Sequence, residues 1–433
     1  MNTSCASPHI SRRVAFALVA ILCARAGYAD ASDSGDSGWV MMSTALVLFM
    51  TLPGLSLFYG GMVRSVSVLS VLMQCLAIAC LVTILWLVVG YSLAFGEGNL
   101  FIGDFSKVLF RGITADTLHG TVPEMSFALF QLGFAIITPA LIVGGFAERM
   151  RFSSVLVFSG MWVLLVYAPI AHWVWGGGWL AQLGAMDFAG GTAVHIAAGT
   201  AAVVAAIVVG PRRGFPDHVQ PPHNMTLTVA GAGMLWVGWF GFNGGSALAA
   251  GGDAAMAVAV THIAAAAGAF TWMLIEWARY GKPSALGTVT GMVAGLGTVT
   301  AASGYIGPAG ALVLGVVAGT VCFVATNVMN LKLKIDDSLD VFPVHAVGGC
   351  IGMMLTAVFA SNALGVLGGS EDIVIAEQLR IQGLAVVAVL AYTVVGTWII
   401  LKITDLLLGN RVPENQEIDG LDIAEHNERG YII

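Results

Sequence analysis

Apolar positions run through this chain in blocks too long and too uniform for the periodic face of a water-soluble helix. The stretches 65–96, 152–186, 219–252 and 283–331 contain no Asp, Glu, Lys or Arg. Each exceeds the roughly 20 apolar residues that cross a bilayer as a helix. The longest holds two crossings, with a bend near Gly304 and Pro308. Turn residues and charges between blocks place helices near 39–63, 67–95, 125–147, 153–174, 190–210, 226–247, 254–278, 284–302, 308–330, 341–361 and 382–402. The expected fold is therefore an all-α integral membrane protein with eleven transmembrane helices.

The first residues are a segment of another kind. Arg12 and Arg13 precede the short apolar run VAFALVAILCA, and Gly27 and Ala29 supply small residues before Asp30. That order reads as a cleaved signal peptide over 1–29, the alternative being an anchor that stays attached. A membrane domain over 39–404 and a polar tail over 405–433 follow.

Composition agrees with the pattern: 58% of the 433 residues are hydrophobic, 10% are charged, and mean hydropathy is +0.87. The net charge of -7 says little, because orientation depends on where Lys and Arg lie. With the helices placed as above, Arg64, Arg149, Arg151, Arg212, Arg213, Arg279, Lys282, Lys332, Lys334, Lys402, Arg411 and Arg429 share one side. Lys107, Arg111 and Arg380 face the other. The mature N-terminus is then outside and the tail cytoplasmic. Cys5 and Cys23 fall in the leader; Cys75, Cys80, Cys322 and Cys350 sit singly in apolar helices and read as small hydrophobes.

An odd number of helices per half inverts the second half, so five plus five plus one invites a search for internal similarity. LSLFYGGMV in the first helix echoes GWFGFNGGSA in the sixth. Asp187 and His195 ahead of and within the fifth echo Asp340 and His345 at the tenth. Two inverted five-helix repeats and a C-terminal helix are expected. Gly287, Gly291 and Gly295, spaced by four, predict close helix packing.

Ionisable residues inside a bilayer are costly and usually face a bundle interior or a pathway. Either histidine alone reads as one satisfied by a backbone carbonyl. As a symmetric pair, His195 and His345 meet near the midplane, where such repeats place a substrate route. Trp239, Phe242 and Ser246 lie at i, i+3 and i+7 and so share a helix face, as do Phe130 and Phe134 at i, i+4. Ring faces and one hydroxyl together suit a small cation. Trp175, at the outer end of the fourth helix, fits an interfacial aromatic belt equally well. Asp187 reads as a helix cap, and Asp340 likewise. Direct cation ligation by Asp187 is the alternative, disfavoured because a bare buried carboxylate would trap a permeating ion. His172 and His262 read as structural, and His218 and His223 fall in a cytoplasmic loop. No nucleophile and base stand at catalytic spacing, and no phosphate-binding loop opens a helix after a strand. Neither an enzyme, a cofactor nor a metal site is expected.

The segments DFAGGTAVHIAAG, GWFGFNGGSA, LFYGGMVR, FAIITPALIVGGFAERMRF and DVFPVHAVGG, taken in place, closely resemble the ammonium transporter (Amt/Mep/Rh) family from Trp39 to the tail. The resemblance implies a homotrimer of eleven-helix protomers in the plasma membrane, each with its own path for ammonium or methylammonium. It maps an outer cation site onto Phe130, Trp175 and Ser246, a phenyl gate onto Phe134 and Phe242, and pore histidines onto His195 and His345. Asp187 and Trp239 support them. The tail resembles one that couples pores and helps dock a trimeric PII-type signal protein. Pro343, Ala346 and Ala301 depart from the family, where Gly, Gly and Pro are expected.

The mechanism this implies is recruitment of the cation outside, loss of its proton below the gate, and conduction of ammonia past the histidines. A carrier of another small solute such as urea would need more polar lining than two histidines and a serine. An ammonium sensor or scaffold is the remaining alternative, and would signal through a separate partner protein.

Overall fold

The computed structural model describes residues 32–218 and 221–432. The expected signal peptide, 1–29, lies outside the described residues. The membrane body consists of α1 Ser34–Met62, α2 Val68–Phe95, α3 Glu124–Phe146, α4 Phe152–Gln182, α5 Gly191–Val209, α6 Met225–Gly245, α7 Gly252–Tyr280, α8 Ala285–Val299, α9 Pro308–Leu333, α10 Phe342–Phe359 and α11 Ile375–Leu408. Ten of these are long and apolar enough to cross a bilayer; α8 is apolar but only 15 residues long. A small antiparallel hairpin, β1 Leu118–His119 and β2 Val122–Pro123, joins α2 to α3. Two short helices, α12 Glu414–Asp419 and α13 Leu421–His426, form the tail.

Helix ends follow local chemistry. Asn224 and Ser284 accept hydrogen bonds from Leu227 N and Gly287 N and so start α6 and α8. Pro308 opens α9, where its missing N–H has no intrahelical partner to lose. The helices α7 and α11 stop at Gly281 and Gly409, both at positive φ.

The helix α11 begins at Ile375, not near 382, because hydropathy does not register helix that projects past the apolar slab. Its first turns carry Glu377, Gln378 and Arg380. Gln378 donates to Gly184 O at 2.9 Å, while Gln382 accepts from Met186 N at 2.9 Å and donates to Met186 O at 2.7 Å. These bonds satisfy buried amides and anchor the start of α11 to the segment that precedes α5. The glycine stripe of α8 packs on α7: a side chain at Gly295 would meet Ala264 O at 2.2 Å and one at Gly291 would meet Gly268 O at 2.6 Å.

Several basic residues expected on one side gather at the end of the bundle that also holds the tail. Arg149, fully buried, donates to Gly145 O at 2.8 Å and to Asp336 O at 2.6 Å. Arg212 pairs with Asp336 at 2.7 Å, and Arg64 with Glu148 at 2.8 Å. Glu417 of α12 accepts from Arg411 at 2.8 Å and from Arg213 N at 3.1 Å. Two further tail carboxylates occupy helix starts: Asp422 accepts from Ser70 N at 2.7 Å in α2, and Glu425 from Phe152 N at 3.0 Å in α4. Negative charge at a helix N-terminus is favourable, so the tail is held by charge as well as by packing.

Burial pushes the Asp336 carboxyl up, but its Arg212 hydrogen bonds and the charges of Arg212 and Arg149 outweigh this and hold it below its ordinary value. A carboxylate whose folded pKa is depressed contributes stability above its unfolded pKa, about 3.9, and loses it as pH falls through the folded value. Asp336→Asn should therefore cost on the order of 3 kcal/mol at pH 7, with the gap from wild type closing below about pH 4. Thermal unfolding midpoints in detergent across pH check both statements.

Candidate conduction pathway

Each histidine sits in the first turns of a helix that begins with a capped, irregular start. The Asp187 carboxylate accepts from Gly190 N at 2.9 Å, Gly191 N at 2.6 Å and Thr192 N at 2.7 Å, and also from the Thr192 hydroxyl. Gly190, at φ +114°, provides the left-handed turn that lets the chain fold over its cap. The opening turns of α5 (Gly191–Ile196) and of α10 (Phe342–Val347) are wound as π-helix, and each contains its histidine. Such widened turns recur at functional positions.

At α10 the cap is Asp337, not Asp340. Asp337 accepts from Phe342 N at 2.6 Å, whereas Asp340 takes a left-handed backbone at φ +56° and accepts from the Asn330 amide at 3.0 Å. The reason lies in the chain path: the turn 337–340, closed by Asp340 N donating to Asp337 O, carries Asp337 back over the helix start. Asp337 precedes His345 by eight residues, just as Asp187 precedes His195, so the repeat aligns on Asp337. Burial pushes the Asp337 carboxyl up to about 7, against the Phe342 N–H, which favours its charged form.

The helices α5 and α10 meet closely enough to bring the rings together. A side chain on Gly199 would meet Ala346 N at 2.4 Å. Ala346 is therefore tolerated because the small residue stands opposite it, on α5. Pro343 falls in the first turn of α10, where a missing donor is harmless, and Ala301 packs its methyl against Gly191. His195 and His345 are both buried, with Nδ1 facing Nδ1 at 3.2 Å and ring centroids 5.2 Å apart. One of those nitrogens must donate, so the neutral pair shares one proton there. It leaves one N–H and one lone pair on the outer Nε2 atoms.

On the side away from the tail, a cavity of about 280 Å3 is lined by Phe130, Phe134, Trp175 and Ser246, together with His119, Gln131 and Phe188. Trp175 is positioned by donation to Asp187 O at 3.0 Å, and Ser246 by donation to Phe242 O at 2.9 Å. Phe134 and Phe242 close the floor of this cavity with centroids 4.2 Å apart, both buried. Below them Trp239 stacks on His195 at 5.4 Å and donates to Thr300 Oγ1 at 2.9 Å. Ser246, Phe242 and Trp239 are thus strung along the path, not gathered in one cage, and Trp239 does not line the outer cavity. Beside the histidines a cleft of only about 10 Å3 remains. It is succeeded on the tail side by a vestibule of about 310 Å3 lined by His345, Asn330, Asp337 and Asp340.

His172 bridges Ala94 O at 2.9 Å and Asn99 O at 2.7 Å, and His262 packs near Trp236. Neither approaches the path. His119 and Asp337 had no place in the sequence reading. For Asp337 the eight-residue spacing to His345 was the available signal; for His119 there was none.

Chemically the path offers aromatic faces and a hydroxyl at one mouth, a stacked phenyl pair, then a dry stretch whose polar groups are imidazoles. That combination suits a small species that is a cation outside and can be neutral within.

The family profile described as Ammonium Transporter Family matches residues 38–431. The chain is 42% identical over 401 residues to an ammonium transporter of Bacillus subtilis, covering 92% of this chain and 98% of that one. It is 40% identical to the ammonium transporter Amt1 of Archaeoglobus fulgidus, covering 92% and 100%. Among solved structures, Mep2 of Candida albicans superposes with a TM-score of 0.82 at 36% identity, covering 89% and 88%. A protein described as a sensor Amt protein superposes at 0.84 with 30% identity, covering 90% and 98%. With the profile spanning nearly the whole multi-pass body, this chain belongs to the ammonium transporter family.

Proposed function

We propose that the chain carries ammonium and methylammonium across a bacterial plasma membrane by separating the ion from its proton. The observation that carries the reading is the Nδ1-to-Nδ1 contact of His195 and His345 below the Phe134–Phe242 pair. Moving a bare monovalent ion into a low-dielectric interior costs on the order of 20 kcal/mol in the idealised limit, and still several after relaxation. Taking an amine-like pKa of about 10, deprotonation at pH 7 costs roughly 4 kcal/mol. The cheaper route is recruitment against Trp175, Phe130 and Ser246, deprotonation beneath the phenyl gate with the proton handed to the free lone pair of the imidazole pair and relayed separately, and passage of ammonia along the imidazole edges. Asp187 acts through the cap, holding α5 and Trp175 in place. Ions such as K+ and Na+ have no proton to surrender and are refused.

The arrangement that goes with this reading is eleven crossings in two inverted five-helix repeats plus α11, assembled as a homotrimer. The N-terminus is outside and the tail cytoplasmic, where it offers a surface to a PII-type partner. Basic residues gathered at the tail end of the bundle support that orientation. The equal spacing of Asp187–His195 and Asp337–His345 supports the inverted repeat. The likeness to a sensor Amt protein supports a second reading, in which ammonium occupancy is reported to a partner.

His195→Ala or His345→Ala is expected to reduce methylammonium uptake at least tenfold or to admit K+. Uptake and K+ currents in proteoliposomes decide, and wild-type selectivity in both variants would refute the scheme. Phe242→Ala should change the rate of conduction while leaving the assembly intact by size-exclusion chromatography. Asp187→Asn, which loses acceptors for the α5 N–H groups, should cost on the order of 2 kcal/mol and lower uptake and thermal midpoint together. Reduced uptake at an unchanged midpoint would instead argue for direct contact with the ion.

A further inference from the structure

The outer cavity has one wall that comes from neither the helix faces nor the aromatic stripes. The β1–β2 hairpin reaches over its rim, with His119 paired to Val122. The His119 ring lies flat on Phe127, with centroids 3.7 Å apart and planes at 13°. Phe127 is one turn before Phe130 on α3, so the imidazole extends the wall that continues through Phe130 and Phe134. His119 lines the same cavity as Trp175 and Ser246. Among the described residues lining that cavity, it is the one whose side chain titrates near neutral pH.

The nearest charged groups, Glu124, Lys107 and Asp36, are already engaged. Glu124, the first residue of α3, is ion-paired with Lys107 and accepts from Tyr91 Oη of α2 at 2.9 Å. Asp36 of α1 accepts from Thr121 of the hairpin at 2.5 Å and from Ala250 N, in the loop after α6, at 2.8 Å. Asp33 donates its backbone N–H to Thr121 O at 2.9 Å, and Asp116 lies in the loop that leads into the hairpin. Val174 and Trp175, facing from α4, carry no charge. Among the described residues, none hydrogen-bonds the His119 ring. Its ring nitrogens therefore stay free to meet whatever enters the mouth.

We propose that His119 is an affinity-setting residue of the outer cavity: its neutral imidazole accepts a hydrogen bond from an entering ammonium-type cation, and its protonated form repels that cation. This rests on the transport reading above. His119 remains open to solvent, and its partial desolvation lowers its pKa from the ordinary value, ahead of the raising effect of Glu124 and the further lowering by Lys107. The ring is neutral at pH 7 and takes its proton in acid. An ammonium ion stays charged throughout that range, so acid changes the site and leaves the substrate as it is. A unit charge across a cavity of this width, at the intermediate dielectric of a wet mouth, alters cation affinity on the order of three- to tenfold.

The test is the apparent KM for methylammonium, from initial rates of labelled methylammonium uptake into proteoliposomes of the full chain between pH 5 and 8. Wild type should show KM rising on the order of three- to tenfold on going from pH 7.5 to 5. His119→Gln, which keeps an acceptor that cannot charge, should flatten that rise. His119→Lys should show the acid-like KM at every pH. The same KM rise in wild type and in His119→Gln, or a wild-type KM at pH 7.5 in His119→Lys, overturns the proposal. If the lysine variant fails to assemble, the glutamine variant decides alone. Methylammonium titrations followed by tryptophan fluorescence separate the two readings. Binding whose pH dependence needs His119, without any methylammonium uptake, defeats transport and supports His119. Uptake with a pH-independent KM does the reverse.

Discussion

The contact between the two imidazole Nδ1 atoms is the constraint around which the bundle is arranged. An unpaired imidazole in an apolar interior leaves a buried polar atom unsatisfied, at about 1–3 kcal/mol. His195 and His345 spare each other that cost at Nδ1 only if α5 and α10 cross at one height and one rotation. The close approach at Gly199 and Ala346 sets the separation of those helices. The caps Asp187 and Asp337 set where each helix begins, and hence where, one helical stretch later, each ring points. Trp239 then fills the flank of His195 and is itself held by Thr300. Each part fixes a degree of freedom that would otherwise let the two nitrogens drift beyond hydrogen-bond range.

Much of this was legible because rare residues stood out against an apolar background. Two histidines at matching places in a chain with 10% charge are conspicuous, and their meeting followed from the repeat. The cap of α10 was misplaced for the opposite reason: DDSLD offers three carboxylates, and proximity to the helix favoured Asp340 although the spacing favoured Asp337. Helical spacing puts Trp239, Phe242 and Ser246 on one face, but a face has length. Seven residues of helix rise about 10 Å, enough to carry the stripe from the outer cavity past the phenyl pair to the histidine. His119 was invisible because its role depends on a hairpin in a polar loop folding over α3. The start of α11 was invisible because the projecting turns are held by Gln378 and Gln382 and owe nothing to hydropathy.

The charged end shows the same division. That Arg64, Arg149, Arg212 and Arg411 share a side follows from where the helices turn; which carboxylate each one meets does not. Arg149 is buried with Asp336, and a buried charge is tolerable only with its partners in place. The tail contributes further partners, the Glu417 carboxylate to Arg213 N and its backbone carbonyl to Arg64, and so closes a network that begins in the loops after α1, α3 and α5. Docking of the tail and the order of those loops are therefore one event energetically, which gives a segment far from the histidines a physical grip on the helices that carry them.

The widths along the path complete the proposed mechanism. Cavities of about 280 and 310 Å3 at the two mouths leave room for a hydrated ion, while the cleft beside the histidines, at about 10 Å3, is at the lower limit for a single water molecule. A hydration shell cannot pass, and few groups along the constriction replace one: a hydroxyl and ring faces above, imidazole edges below. Those groups are well matched in kind. Ring faces attract positive charge but accept few hydrogen bonds, so they suit the ion while it is still wet on its other side. The imidazole pair offers one donor and one acceptor and no net charge, which suits a neutral molecule that can use both. Between the two sets the Phe134–Phe242 pair excludes water, so a species exchanging one environment for the other has to change its charge to find the second set as favourable as the first.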